Sequence, residues 1–426
     1  MTKERIIVEG GRPLTGTVRV SGAKNSVLKL MAASILAPGV TTLTNVPNIS
    51  DVFIMTDVLR HLGATVELGV GTVVIDASNL NKYEAPYELV NRMRASTAVL
   101  GPLIVRFGKA NVALPGGCQI GSRQMDLHFV GLEAFGVTFD NKHGFINARV
   151  GPEGLVAQKV ALSFPSVGAT ENLMIAASAA KGTTIIENAA CEPEIADLAN
   201  FLSAMGAKIE GQGTPVLTIE GVQGFSPAKE YKTVGDRIEA GTYLVAGALA
   251  GGPVTVQGFD PNHLRVPLAK LAEMGCQLDI KEDSVTIAHE GSFTPVDIQT
   301  LPYPGFPTDL QPQFMVIDAL ANGMCVITEN IFENRFMFAE ELNRMGASVR
   351  IEGHHAIIEG VERLSGAPVK ASDLRAGAAL VLAGLNAEGP SSISEVHHIY
   401  RGYDDLVGKL RELGASISAE KASSLD

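Results

Sequence analysis

The chain has no tryptophan, and aromatic residues make up only 5% of its 426 positions. It has four cysteines, at 118, 191, 276 and 325, too far apart for a Cys-x-x-Cys pair or a zinc pattern. It also lacks net positive charge: 34 basic against 46 acidic residues give −12, which argues against general nucleic-acid or anionic-membrane binding. An anionic small substrate would need cations gathered locally. No apolar run reaches the ~18–20 residues that span a bilayer. The start, Met1-Thr2-Lys3-Glu4-Arg5, is polar and has no signal-peptide core. These absences lead us to expect a soluble, reduced, cytoplasmic protein with no metal.

Glycine is abundant instead, with 45 residues. A length of 426 gives two domains as the prior. An apolar-Gly-apolar motif recurs at Leu62-Gly63-Ala64, Phe135-Gly136-Val137, Met205-Gly206-Ala207, Met274-Gly275-Cys276, Met345-Gly346-Ala347 and Leu413-Gly414-Ala415. The spacing is about 70 residues throughout, the mark of an internal repeat. A second set of glycines keeps step with the first: Gly39, Gly108, Gly182, Gly252, Gly323 and Gly389.

Each repeat begins with an apolar helix, at 28–36, 169–180 or 241–250 for example, which its all-round hydrophobicity marks as buried. A glycine ends that helix and a short strand follows, as at 41–45 and 183–187. Next comes an amphipathic helix with an acidic start, as at 51–62 and 194–205, and then another strand. One repeat cannot bury its own helix, so the repeats must pack together, and three of them make one domain. The break is expected near Gly224-Phe225-Ser226-Pro227. The strands at 5–9 and 16–20 precede the first complete repeat and could pair with either domain.

The densest stretch is Leu114-Pro115-Gly116-Gly117-Cys118-Gln119-Ile120-Gly121-Ser122-Arg123. Gly116 and Gly121 have phosphate-loop spacing. Ser122-Arg123 follow where a phosphate loop carries Lys and Ser/Thr, which excludes nucleotide-triphosphate hydrolysis. A lone cysteine is usually a small buried hydrophobe, but a polar Gly-rich loop is a poor place to bury one.

Together with Ser21-Gly22-Ala23-Lys24-Asn25, Met93-Arg94-Ala95-Ser96, Asp126-Leu127-His128, Ser166-Val167-Gly168, Phe306-Pro307-Thr308-Asp309, Phe332-Glu333-Asn334-Arg335, Asp373-Leu374-Arg375 and Tyr400-Arg401-Gly402-Tyr403, this stretch resembles the enolpyruvyl transferases over nearly the whole chain. The resemblance implies an α/β fold of two inside-out barrels, each made of three repeats of about 70 residues around buried central helices. It also places the N-terminal strands in the second domain, giving 23–230 for the first domain and 1–22 plus 231–426 for the second.

The implied reaction moves the enolpyruvyl group of phosphoenolpyruvate to the 3′-hydroxyl of UDP-N-acetylglucosamine by addition and then elimination of phosphate, the first committed step of peptidoglycan synthesis. No cofactor, metal, nucleic acid, membrane or obligate protein partner is implied. The shikimate-pathway transferase is the nearest rival, and a non-catalytic UDP-sugar sensor is a rival of another class. Cys118 and Asp126 favour the nucleotide-sugar branch.

By resemblance Cys118 is the acid that protonates carbon and the nucleophile of a covalent pyruvate adduct. Arg123 beside it favours a thiolate once the proton is given up. Asp309 is the base, and Asn25 and Asp373 attend the tetrahedral intermediate. Lys24, Asn25, Arg123 and Arg401 hold phosphoenolpyruvate, whose two anionic groups suit Arg and Lys clamps. Arg94, Arg123, Asp126, Leu127, Ser166, Val167, Gly168, Asp309 and Ile331 contact the nucleotide sugar, with the Ser166-Val167-Gly168 turn offering free N–H groups to the diphosphate. Arg335 and Arg375 steady the cleft. Two stretches depart from the family pattern: Thr97–Leu100, where many members carry an aromatic, and Ser163-Phe164-Pro165, where some carry lysine. The pairs His354-His355 and His397-His398 are read as rings pointing apart, with no ligand set around them.

Overall fold

The computed structural model describes residues 4–90, 94–114, 125–142 and 144–421. They divide into two compact units, one within 22–234 and one formed by the residues up to 21 together with 235 onward.

The first unit contains three four-stranded sheets. One runs Tyr231–Lys232, Val40–Thr44, Thr72–Asp76, Thr65–Gly69. The next runs Glu84–Ala85, Lys109–Ala113, Phe145–Val150, Val137–Lys142, and the third Lys159–Ala161, Thr183–Glu187, Val216–Glu220, Lys208–Glu210. In each, the short edge strand pairs parallel and the other pairs are antiparallel. Buried and exposed residues alternate along the longer strands, such as Thr183–Glu187, so each sheet turns one apolar face inward. That face meets the helices Lys24–Ala33, Leu100–Phe107 and Val167–Ala177. In the last of these, every residue from Ala169 to Ala177 is buried. Helices lie inside and sheets outside because a helix apolar nearly all round has no wet face to offer.

The second unit repeats this plan around the helices Arg237–Ala250, Gln311–Asp318 and Leu374–Asn386, whose inner turns are buried all round. Its sheets need strands from the chain start. Glu4–Glu9 inserts antiparallel between Pro390–Ser394 and Ser416–Lys421, completing the sixth repeat. Gly16–Arg19 adds parallel to Val254–Gln257 as the edge strand of the fourth.

The matching edge strand of the first repeat is Tyr231–Lys232, which pairs parallel with Val40–Thr44. The break therefore falls after Val234, not at 230 or near Gly224, and Gly22 belongs to the first unit. Tyr231 donates its hydroxyl to Asp197 Oδ1 at 2.8 Å and the Val234 amide donates to Asp197 Oδ2 at 3.2 Å, which fixes this segment there.

The repeat glycines have one physical cause. All six of the first set sit just past an amphipathic helix at φ between 90° and 107°, where a Cβ would be strained. In the second set the left-handed residue of the fourth repeat is Gly251, at φ 74°, rather than Gly252. Gly252 instead lies so close to the Leu14 carbonyl that a Cβ would come within 1.9 Å of it.

Candidate active site

The first unit's three central helices start at one end. Lys29 on Lys24–Ala33 is paired with Glu171 on Val167–Ala177, each in the second turn of its helix. Asn172 donates from Nδ2 to the Thr97 carbonyl at 3.2 Å and accepts from the Gly101 amide at 2.8 Å, which ties in the start of the third helix. Lys24, Asn25, Arg94, Ser166, Val167 and Gly168 lie at or just ahead of these starts. Helix N-termini carry unsatisfied N–H groups and the positive end of the dipole, so they favour anions.

Lys24 opens its helix and pairs with Asp51 at 3.1 Å, a carboxylate only 1% exposed in the first turn of Ser50–Leu62. Asn25 beside it is exposed. Ser26 turns inward and donates to Asp197 Oδ2 at 2.5 Å. Burial raises the pKa of Asp197, opposed by hydrogen bonds from Ser26, Tyr231 and Val234. Arg94 begins the 3-10 turn Arg94–Val99 ahead of Leu100–Phe107. Ser166 caps Val167–Ala177, its hydroxyl accepting from the Ala169 amide at 3.4 Å, with Val167 and Gly168 half-buried in the first turn. Asp126, exposed, and Leu127, half-buried, start the helix Asp126–Ala134.

His128 follows them and is buried, its Nδ1 3.0 Å from Asn172 Nδ2. Because an amide NH₂ only donates, Nδ1 accepts and the neutral ring carries its proton on Nε2. Burial, reinforced by Lys29, pushes the His128 pKa down from 6.5 to about 4. The ring stands against Gly168, where an added Cβ would come within 3.1 Å of Cε1 and Nε2. Cys118 and Arg123 lie outside the described residues.

In the second unit Asp309 sits in the turn Thr308–Leu310 before Gln311–Asp318. Its two oxygens accept from Arg335 Nη2 at 3.0 Å and Arg375 Nη2 at 3.1 Å. These arginine side chains are 2% and 3% exposed, so they are not solvated surface charges. Burial alone would disfavour the Arg375 charge, but Asp309 overcomes it and raises the pKa. Its guanidinium also lies 5.3 Å from the Tyr403 ring.

Beneath it, the Tyr403 hydroxyl, Thr242 Oγ1 and Gln313 Nε2 form a closed triangle at 2.9, 3.1 and 3.2 Å. Asp373 caps Leu374–Asn386, accepting from the Arg375 and Ala376 amides at 2.9 and 3.2 Å. Arg401 ends the 3-10 turn Val396–Arg401 and is half-buried. Ile331 is half-buried, with its amide on Glu329.

Other readings are corrected or bounded. The His354-His355 rings lie 4.0 Å apart and the His397-His398 rings 4.1 Å, not pointing away from each other. His354 is in a turn and the second pair is in a 3-10 turn, so strand alternation does not apply. Among the described residues no group of three His, Cys, Asp or Glu could hold a metal, and no helix is long and apolar enough to cross a membrane. Burial raises the thiol pKa of Cys191, of Cys276 to about 12, and of Cys325, so these three are held as thiols.

Comparison with known proteins decides the family. The model of the family described as EPSP synthase (3-phosphoshikimate 1-carboxyvinyltransferase) matches residues 8–410. The chain belongs to the EPSP synthase family of enolpyruvyl transferases. A relative from Desulfosudis oleivorans, named UDP-N-acetylglucosamine 1-carboxyvinyltransferase, is 51% identical over 97% of this chain and 99% of its own. One from Halalkalibacterium halodurans, named UDP-N-acetylglucosamine 1-carboxyvinyltransferase 1, is 53% identical over 97% and 94%. Among solved structures, the enolpyruvyl transferase NikO from Streptomyces tendae superposes with a TM-score of 0.89 at 27% identity, covering 99% of this chain and all of that one. An EPSP synthase from Acinetobacter baumannii shares the fold at TM-score 0.76 and 18% identity, covering 98% of this chain and 100% of its own.

Several residues that hold the site in place carry no motif. Asp51, Asn172, Asp197 and Glu329 are buried polar side chains that the sequence reading did not single out. For Asp51, Asn172 and Asp197 the available signal was a charged or amide side chain among the apolar residues of a helix; Glu329 follows a strand and had no such signal.

Proposed function

We propose that this enolpyruvyl transferase moves the enolpyruvyl group of phosphoenolpyruvate onto the 3′-hydroxyl of UDP-N-acetylglucosamine and releases phosphate, in the cytoplasm, as the first committed step of peptidoglycan synthesis. The observation that carries this is the full-length identity of about one half to relatives that bear the nucleotide-sugar name. The acceptor oxygen bonds to C2 of phosphoenolpyruvate while C3 gains a proton. Loss of phosphate from C2 and of a proton from C3 then restores the double bond.

Cys118 supplies the proton to C3, and Asp309 takes the one from the hydroxyl. Lys24, Arg123 and Arg401 hold the donor's phosphate and carboxylate. The N–H groups at the start of Val167–Ala177 take the nucleotide's diphosphate, as helix N-termini do. Asp51 holds Lys24 and the two buried arginines hold Asp309, so neither group spends conformational entropy when substrate arrives.

Phosphate release is the test, with phosphoenolpyruvate and UDP-N-acetylglucosamine together, each alone, and shikimate 3-phosphate as the alternative acceptor. Release only with the nucleotide sugar is expected. Release only with shikimate 3-phosphate, or none with either, would overturn the reading.

A further inference from the structure

We propose that Glu329 is a positioning residue for this reaction, acting through Thr308 on Asp309; the inference rests on the function proposed above. Glu329 is 3% exposed and follows the strand Met324–Thr328. Its carboxylate accepts four hydrogen bonds. Oε1 accepts from the Ile331 amide at 2.8 Å, the Phe332 amide at 3.1 Å and Thr300 Oγ1 at 2.9 Å. Oε2 accepts from Thr308 Oγ1 at 3.0 Å. Asn330 braces the same point, donating its amide to Thr300 Oγ1 at 2.9 Å and Nδ2 to the Thr300 carbonyl at 3.1 Å.

The four donors come from three separate segments. Thr308 is the residue before Asp309. Ile331 and Phe332 begin the stretch that ends at Arg335, and Ile331 is itself an expected nucleotide contact. Glu329 therefore ties together the two segments whose side chains meet in the Asp309–Arg335 pair at 3.0 Å. A carboxylate is acceptor-only, with about two lone-pair sites on each oxygen; three donors share Oε1 and Thr308 is the donor on Oε2, so both oxygens are held. Such a junction fixes where the Asp309 carboxylate stands before substrate arrives, as supporting hydrogen bonds do around other reactive groups. A purely structural junction would give the same bonds, but its loss would cost stability and leave the kinetics alone.

The test uses the full chain with phosphoenolpyruvate and UDP-N-acetylglucosamine, following phosphate release. Thr308→Val keeps the shape and removes only the hydroxyl that reaches Glu329. It is expected to lower kcat by roughly 10–100-fold while KM for phosphoenolpyruvate stays within about twofold. Thr308→Ser restores the hydroxyl and should restore kcat to within about threefold. Glu329→Gln keeps one oxygen for Ile331 and Phe332 and should fall between. Thermal melts of each variant establish folding. Wild-type kcat in Thr308→Val, whether or not its melting temperature falls, overturns the proposal and leaves the proposed function standing. An equal loss in Thr308→Ser and Thr308→Val also overturns it, because the hydroxyl would then not be what matters. A wild-type protein inactive with both substrates overturns the function reading, and this inference with it.

Discussion

Replacing His128 with Asn should remove a pH-dependent share of the first unit's stability. The neutral ring accepts from Asn172, and burial with nearby Lys29 holds its pKa at about 4 against 6.5 when unfolded. The folded chain thus binds the proton less tightly than the unfolded one. The stabilisation is complete above pH 6.5 and is lost as the pH falls toward 4. With those two values, lowering the pH from 7 to 5 costs about 2 kcal/mol through this group alone. Asn offers an oxygen where Nδ1 stood, so Asn172 keeps an acceptor, but it does not titrate. Urea unfolding followed by circular dichroism at pH 7 and pH 5 should show the wild type losing about 2 kcal/mol more than the variant. The difference isolates His128, because Glu171 and Asp197, whose pKa values burial raises, titrate in both proteins. Nuclear magnetic resonance of labelled histidine rings gives a direct reading, the missing signal in the variant identifying His128. A ring midpoint near 6.5, or equal losses in the two proteins, would refute the reasoning.

Cys118→Ala should end multiple turnover while UDP-N-acetylglucosamine still binds by calorimetry, and Cys118→Asp should keep activity because a carboxylic acid can also protonate carbon. Near-native turnover in the Ala protein would remove Cys118 as the acid. A small epoxide bearing a phosphonate should alkylate Cys118 and spare Cys191, Cys276 and Cys325, whose thiols burial keeps protonated; peptide mapping by mass spectrometry would locate the adduct. Asp309→Asn should abolish turnover and lower stability by about 2–4 kcal/mol, since Arg335 and Arg375 are left buried without their shared charge. A variant that melts like the wild type would mean that water already satisfies those guanidinium groups.

The repeat was legible because its marks are set by backbone geometry. A left-handed residue past a helix admits glycine at little cost, so all six positions such as Gly63 and Gly206 had to show it. The buried helices were legible for a similar reason, since a helix apolar nearly all round, such as 241–250, has only one place to go. The domain boundary was less so. Tyr231–Lys232 is two residues long, and its membership is decided by a parallel pairing and by Asp197, a residue 34 positions away. No local pattern announces such a partner.

The same distinction runs through the site. Residues expected to touch substrate are written in short motifs at helix starts, where local chemistry constrains them. The residues that hold these in place are written elsewhere: Asp51 opens the next helix after Lys24, and Glu329 lies 20 residues past Asp309 at the end of a strand. Each looks locally like a cap or a turn acid. What separates Glu329 from an ordinary cap is the number of donors converging on one buried carboxylate. Four hydrogen bonds to Glu329, or two guanidinium groups on Asp309, fix a charge that one bond would leave free to rotate. Prealigned charges give up little entropy when substrate binds, and the cost of ordering them was met during folding. In this chain buried acids, Asp51 at Lys24 and Glu329 at Thr308 beside Asp309, hold segments expected to meet the ligand.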